Sequence, residues 1–262
     1  MTTPSNWHNE DGFEFALFPA KNGKAKNLVV VLHGHGSNTA NWAAHAKQMQ
    51  DEIPDADIIT VQGPVKLPLG ADGVQGYSWT AYQGPIVLQV KETLTLVFNR
   101  LPVVDKLNHF LDRQLKKRGL SDDQLGLVGS SMGSIAGLQT VFSRKKNIAG
   151  MVSHSGALLP FTKVRSKPDI LLIMGGKDEV FSKPKTSPKG VKRIFNAMAR
   201  HFSIQHYDTL RRLKDRKVPF TEKFYPDMKH ETTPESISAG SQFLLTVFQK
   251  EKNPKSPSGP RQ

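Results

Sequence analysis

The chain contains no cysteine among its 262 residues. That excludes a disulfide framework, a thiolate nucleophile and a thiolate metal site, and it fits a cytoplasmic protein. It also lacks any run near the roughly 18 consecutive apolar residues that a membrane span needs, so stable membrane insertion is not expected. The first residues, MTTPSNWHNEDGF, hold no basic region followed by an apolar stretch, and no secretory signal is expected there. Acidic residues are in short supply: 23 Asp and Glu stand against 36 Lys and Arg, a net charge of +13.

Hydrophobic residues at 37% and charged residues at 23% suit a folded globular chain. The length suits one α/β domain, expected over residues 1–252, with a disordered basic tail at 253–262. The positive charge is localised. Residues 183–217 carry +9 and residues 250–262 carry +3, which leaves +1 for everything else. A nearly neutral body thus bears a basic insertion. Such a patch attracts phosphates, lipid headgroups or acidic polymers, and it is equally the composition of a plain solvated face. No nucleic-acid module is visible, and nucleic acid is not an expected partner.

Short apolar, β-branched runs mark strands at Phe13–Phe18, Leu28–Leu32, Asp57–Val61, Gln124–Val128, Ala149–Ser153, Ile170–Met174 and Val218–Phe224. Several are apolar throughout, as in parallel strands covered on both faces. Helical periodicity lies between them. Val103, Val104, Leu107, Phe110, Leu111 and Leu115 make one apolar face that Gly119 can end. Ser187-Pro188 reads as the start of a helix to residue 202, and Thr233-Pro234 as the start of the last one. Residues 203–217 suggest an additional helix at the rim of a site, where Arg211, Arg212, Lys214, Arg216 and Lys217 would favour acidic substrates. Residues 62–90, rich in turn residues and carrying Tyr77, Trp79 and Tyr82, read as a long loop near that mouth. The alternation predicts a mostly parallel central sheet with helices on both faces.

Gly129-Ser130-Ser131-Met132-Gly133 follows a strand and precedes a helix of small and apolar residues. That context suits a nucleophile elbow, in which a tight turn pushes the central serine above the sheet and aims backbone N–H groups at a developing oxyanion. A serine hydroxyl needs a base in contact and an acid to orient that base. In this order of elements, each follows a later strand. Asp178 stands in GGKDE behind ILLIM, and His230 in PDMKH behind the last strand. Glu179 and Asp227 are the rival acids, and His154, His201 and His206 the rival histidines; His154 reads as packed and hydrogen-bonded, the other two as surface residues. His33-Gly34-His35-Gly36 after an early strand can expose a backbone N–H, so His35 and Met132 are the candidate oxyanion donors. His33 reads as a brace for that turn. A metal site at His33-x-His35 is not expected, because no acidic cluster completes it.

These pieces resemble the phospholipase/carboxylesterase family of α/β-hydrolases. The matching segments are LHGHGSNTANW, GSSMG, VSHSGALLP, LLIMGGKDEVF and the late His230. The resemblance implies an α/β-hydrolase fold and hydrolysis of carboxylic esters or thioesters of short to medium acyl chains, with no metal and no organic cofactor. It carries Ser131, Asp178 and His230 as triad and His35 and Met132 as oxyanion donors, with Trp79 and Tyr77 near the acyl pocket. Met132 stands where the family often has Gln, Tyr77-Ser78-Trp79-Thr80 only partly matches the family's aromatic piece, and the 52 positions from Asp178 to His230 exceed the usual spacing. Two other readings compete: a non-catalytic protein of this fold that binds an anionic partner through its basic insertion, and peptide hydrolysis or acyl transfer on the same scaffold.

Overall fold

The computed structural model describes residues 6–80, 101–181 and 205–250. The helix expected over 188–202, the tail, Tyr82, His201 and most of the basic insertion lie outside them. Eight of the strands form one sheet, in the order β1-β2-β4-β3-β7-β8-β9-β10. They are β1 Trp7–Glu10, β2 Phe13–Phe18, β3 Asn27–Leu32, β4 Ala56–Val61, β7 Leu125–Ser130, β8 Gly150–His154, β9 Asp169–Gly175 and β10 Phe220–Tyr225. From β4 across to β10 every pairing is parallel; β1 and β2 add an antiparallel edge. A second, two-stranded sheet pairs β5 Val65–Leu69 with β6 Gln75–Ser78.

Five α-helices flank the large sheet among the described residues: α1 Ala43–Glu52, α2 Val103–Arg118, α3 Met132–Ser143, α4 His206–Asp215 and α5 Pro234–Lys250. The pleat divides the core. Leu28, Val30 and Leu32 of β3 pack with Val104, Leu107, Phe110, Leu111 and Phe142 on one side. Val29 and Val31 pack with Met49, Ile237, Leu244 and Phe248 on the other. Strands apolar on both faces are thus explained by helices on both faces.

Local chemistry sets the helix ends. α2 buries the apolar stripe read from its sequence, holds Lys116, Lys117 and Arg118 in its last turn, and stops at Gly119 with φ 67°. Cations at the C-terminus and a left-handed glycine beyond it are both favourable there. α5 starts at a reciprocal cap: Ser236 N–H donates to Thr233 Oγ1 at 3.2 Å, and Thr233 N–H to Ser236 Oγ at 2.9 Å. Gln48 of α1 donates to Pro234 O at 2.9 Å, which ties the two helices of that face together beside residue 230.

Three sequence expectations need correction. β1 was not foreseen, because WHNE is polar and belongs to an edge strand. Its signal was the Asp11-Gly12 pair, which makes a two-residue hairpin turn with φ 53° and 79° while Glu10 pairs with Phe13. Residues 65–78 are a hairpin rather than loop. The additional helix exists at 206–215, but two of the cations expected over 203–217 are spent on the fold. Arg212 is 5% exposed and donates to Leu158 O at 2.9 Å, and Arg216 donates to Pro160 O at 2.5 Å. Neither is available to draw acidic substrates.

α3, which follows the candidate elbow, is pinned to α2 by Arg144. Its guanidinium is 7% exposed and donates to Asn108 at 3.0 Å, to Asp112 at 2.6 Å and to Asp122. Replacing it by methionine strands two partly exposed carboxylates beside an apolar side chain. Arg144→Met is expected to lower unfolding free energy by about 2 kcal/mol, read from urea denaturation; an unchanged midpoint would remove this pin from the account.

Candidate active site

The site is assembled at the C-terminal ends of β3, β7, β8, β9 and β10, where parallel strands deliver their loops to one edge. β7 ends at Ser130, Ser131 takes φ 51° and ψ −116°, and α3 begins at Met132. This is a strained conformation for a residue with a side chain. Its surroundings enforce it. Ser131 N–H donates to His154 O at 2.9 Å, and Ser131 O accepts from the N–H groups of Ser134 at 3.0 Å and Ile135 at 3.2 Å. A Cβ on Gly133 would lie 2.2 Å from Leu32 O, and one on Gly129 would lie 2.6 Å from Gly133 O. The turn is therefore pressed onto the end of β3, and only glycine fits at either flank.

That contact brings residues 33–36 beside Ser131. A Cβ on Gly34 would sit 3.4 Å from the Ser131 Cβ. Among the described residues the His35 N–H makes no hydrogen bond. Met132 opens α3, so its N–H has no acceptor within the helix. Two backbone donors thus stand beside the hydroxyl.

His33 does not reach Ser131. It is 1% exposed, its Nδ1 lies 2.7 Å from Gly34 O, and its Nε2 accepts from Gly63 N–H at 2.9 Å. Those partners require the Nδ1–H tautomer of a neutral ring. Burial pushes His33 down to about 4, consistent with that state.

Trp79 was expected among the substrate contacts and is not placed there. It is 1% exposed, and its indole N–H donates to His33 O at 2.7 Å. A buried indole committed to this loop supports the site from behind. Tyr77 meets the same loop through its backbone: its carbonyl accepts from Gly36 N–H at 3.0 Å and its N–H donates to Ser37 O at 2.9 Å. The hairpin is thereby stitched to the turn that carries His35.

On the other side of Ser131, His230 Nε2 lies 3.0 Å from Ser131 Oγ, and His230 Nδ1 lies 2.8 Å from Asp178 Oδ2. Asp178 is fully buried, and its Oδ1 accepts from the N–H groups of Val180 at 2.8 Å and Phe181 at 3.0 Å. Burial pushes this carboxyl up. Hydrogen bonds from the His230 ring and Phe181 N–H, the nearby Ser155 hydroxyl and Val180 N–H outweigh it, and the group stays below the ordinary carboxylate value. An ionised carboxylate only accepts, so Nδ1 carries the proton and Nε2 is left to accept from Ser131. The Phe181 ring, 5.6 Å from the imidazole centroid, closes one side of the pair.

The loops bearing Asp178 and His230 are bonded to each other. Gly176 N–H donates to Tyr225 O at 2.8 Å and Lys177 N–H to Met228 O at 3.0 Å, while a Cβ on Gly175 would lie 2.2 Å from Met228 O. Rival residues fall elsewhere. Asp227 is exposed and pairs with Lys177 at 2.7 Å. Glu179 is exposed while its neighbour Asp178 is buried.

His206, read from sequence as a surface residue, is 9% exposed and lies 2.6 Å from Glu222. His154 is packed as expected, but its ring makes no hydrogen bond among the described residues. Burial, aided by the neighbouring His45, pushes it down to about 3. His45 itself lies 3.2 Å from Thr232, two residues past His230. Sequence reasoning missed Phe181, Ser155 and His45; their one common signal is a place on or under a loop that follows a strand. No group of three metal-ligating side chains occurs among the described residues.

The profile of the phospholipase/carboxylesterase family matches residues 16–183, a span that includes Ser131 and Asp178 and stops short of His230. An uncharacterized hydrolase of Mycosarcoma maydis is 27% identical over 152 residues, 56% of this chain and 55% of that protein. The alignment thus spans about half the length of that curated relative. Among solved structures, esterase PE8 is 22% identical with a TM-score of 0.66, over 92% of this chain and 99% of that one. A carboxylesterase from Mesorhizobium loti is 14% identical with a TM-score of 0.62, over 92% and 99%. The Bacillus cereus carboxylesterase is 15% identical with a TM-score of 0.60, over 90% and 94%. These structures share the fold.

Two predictions follow from the packing. Gly133→Ala must displace the backbone of β3 and is expected to cost about 3 kcal/mol or more. Gly126→Ala meets only the flexible ends of Leu244 and Phe248 and should cost less than about 1.5 kcal/mol. Equal melting temperatures for the two would contradict this reading of the elbow. The second concerns acid. His33 and His154 titrate near 4 and 3 when folded and near 6.5 when unfolded, so the unfolded chain binds more protons between those values. Stability is then full above pH 6.5 and falls as pH drops, by up to about 1.4 kcal/mol per pH unit for each ring. Asp178, lowered from 3.8, adds its own loss only below that value. Urea midpoints from pH 7.5 to 4.5 should show the slope, and His154→Leu should flatten it; a flat wild-type profile would refute it.

Proposed function

Because the chain belongs to the phospholipase/carboxylesterase family, we propose that it hydrolyses carboxylic esters or thioesters of short to medium acyl chains through an acyl-enzyme on Ser131. The observation that carries this reading is the unbroken hydrogen-bond chain Ser131 Oγ, His230 Nε2, His230 Nδ1, Asp178 Oδ2. Three loops from three parts of the sequence supply it.

In the proposed cycle the Ser131 oxygen attacks the acyl carbonyl while its proton passes to His230 Nε2. The imidazolium is stabilised by the buried Asp178 carboxylate, which stays ionised. The carbonyl oxygen, now negative, receives the N–H groups of His35 and Met132. Losing one such donor typically lowers kcat by about 10²–10³. Collapse of the tetrahedral intermediate expels the alcohol or thiol, which takes the proton from His230. Water, deprotonated by the same imidazole, then attacks the acyl-enzyme and returns free Ser131 and the carboxylic acid. Met132 contributes only its backbone, so its side chain is tolerated where the family often has glutamine. Among the described residues no helix is long and apolar enough to cross a membrane.

Hydrolysis of p-nitrophenyl acetate and butyrate by the wild-type protein and by Ser131→Ala tests the assignment. A fall of at least about a thousandfold in kcat is expected, since removing a serine nucleophile elsewhere costs far more. A fluorophosphonate should add one phosphonyl group to the wild-type protein at Ser131 and none to the variant. Undiminished turnover by Ser131→Ala would end the proposal.

A further inference from the structure

His35 is exposed, and its ring Nδ1 lies 3.0 Å from Ser78 Oγ at the end of β6. Ser78 is fully buried. Its oxygen accepts from Thr80 N–H at 3.4 Å, and among the described residues the one acceptor for its own proton is that ring nitrogen. A buried hydroxyl without an acceptor is costly, so Ser78 O–H donates to His35 Nδ1. The bond joins two segments 43 positions apart. Its Ser78 end is rigid: the residue pairs with Val65 across the hairpin, a Cβ on Gly63 would lie 2.6 Å from Ser78 O, and the Trp79 indole that follows donates to His33 O.

The His35 end carries the N–H read above as an oxyanion donor. That N–H belongs to the planar peptide joining Gly34 to His35. One end of the plane is set by Gly34, where a Cβ would lie 3.4 Å from Ser131 Cβ and 3.6 Å from Ser130 O. The other end is the His35 nitrogen. At a tetrahedral α-carbon its direction follows from those of the carbonyl carbon and Cβ. Gly36 N–H, donated to Tyr77 O at 3.0 Å, holds the carbonyl side. Among the described residues, the hydrogen bond that holds the Cβ side is the one from Ser78 to the ring. With glycine at 34 and 36, local backbone preference adds little restraint of its own.

We propose that Ser78 is a positioning residue: its hydroxyl, through the His35 imidazole, directs the His35 N–H toward the oxygen that becomes negative when Ser131 attacks. This rests on the reading of Ser131 as nucleophile and of His35 as oxyanion donor. A misdirected donor still admits substrate, because the ground-state carbonyl draws on it weakly. It fails where the charge has developed. Ser78 therefore acts on kcat rather than KM, and it touches neither substrate nor Ser131 in this role.

Ser78→Ala and His35→Leu break the bond from opposite sides, and both leave the His35 N–H in the chain. With p-nitrophenyl butyrate, kcat should fall about fivefold in either, the usual scale for one neutral hydrogen bond, with KM changed by less than about twofold. Affinity for butylboronic acid, whose adduct with Ser131 puts an oxygen where the oxyanion forms, should weaken by a similar factor. Adding Ser78→Ala to His35→Leu should lower kcat no further. Because residue 35 is exposed, His35→Leu tests the bond even where the buried Ser78→Ala does not fold. The proposal is overturned if either folded variant keeps wild-type kcat and boronate affinity, if KM rises while kcat stays, or if Ser78→Ala costs its full factor in the His35→Leu background. An inactive Ser131→Ala alongside fully active Ser78 and His35 variants removes the positioning role alone; an active Ser131→Ala removes the hydrolase reading on which it stands.

Discussion

A serine backbone at φ 51° and ψ −116° is not a conformation the chain adopts by local preference. Such a residue carries strain of order 1–3 kcal/mol and persists only where its surroundings over-determine it. Here the surroundings are the parallel sheet. β7 and β3 run side by side, and the absent side chain of Gly133 lets the first turn of α3 close onto Leu32 O. Almost every residue of α3 is buried, so its packing offsets the strain. The same contact sets where residues 33–36 lie, and hence where the His35 N–H stands. One close approach of two backbones thus orders both the hydroxyl and the donors beside it.

Around that hydroxyl the protein keeps opposite electrical states within a small volume. Asp178 is buried and charged, held so by two backbone N–H groups and an imidazole. His33 and His154 are buried and neutral. The difference lies in the partners. Asp178 meets donors, while His33 meets one carbonyl and one N–H, a set that fits only an uncharged ring. His154 has a neighbouring imidazole and, among the described residues, no hydrogen-bond partner for either ring nitrogen. A site that must hold one carboxylate ionised therefore also holds histidines that resist protonation, and acid sensitivity of the fold comes with it.

Much of the architecture was legible because it rests on short-range rules. The stripe and C-terminal glycine of α2, the cap of α5 and the apolar runs of β3, β4, β8 and β9 all follow from periodicity and end chemistry. The failures have a common origin. β1 is polar because it is an edge, and α1 was not foreseen because few of its residues are buried. Residues 65–78 were rich in turn residues, yet their backbone pairs with itself and with the 33–37 loop. Arg212, Arg216 and His206 carried the appearance of a solvated basic face, but a carbonyl or carboxylate waiting in three dimensions draws such groups inward.

By itself the sequence determined the inventory and its order: a serine between glycines after a strand, then an acid, then a histidine, each following a later strand. It could do so because turns, caps and strands are decided by neighbours along the chain. Only the tertiary structure decided that residues 131 and 230, 99 positions apart, would share a hydrogen bond. It alone set Trp79 behind the site instead of in it. Such placements depend on which strands lie adjacent and how closely backbones approach, and those distances are fixed by packing between segments that carry no local signal of one another.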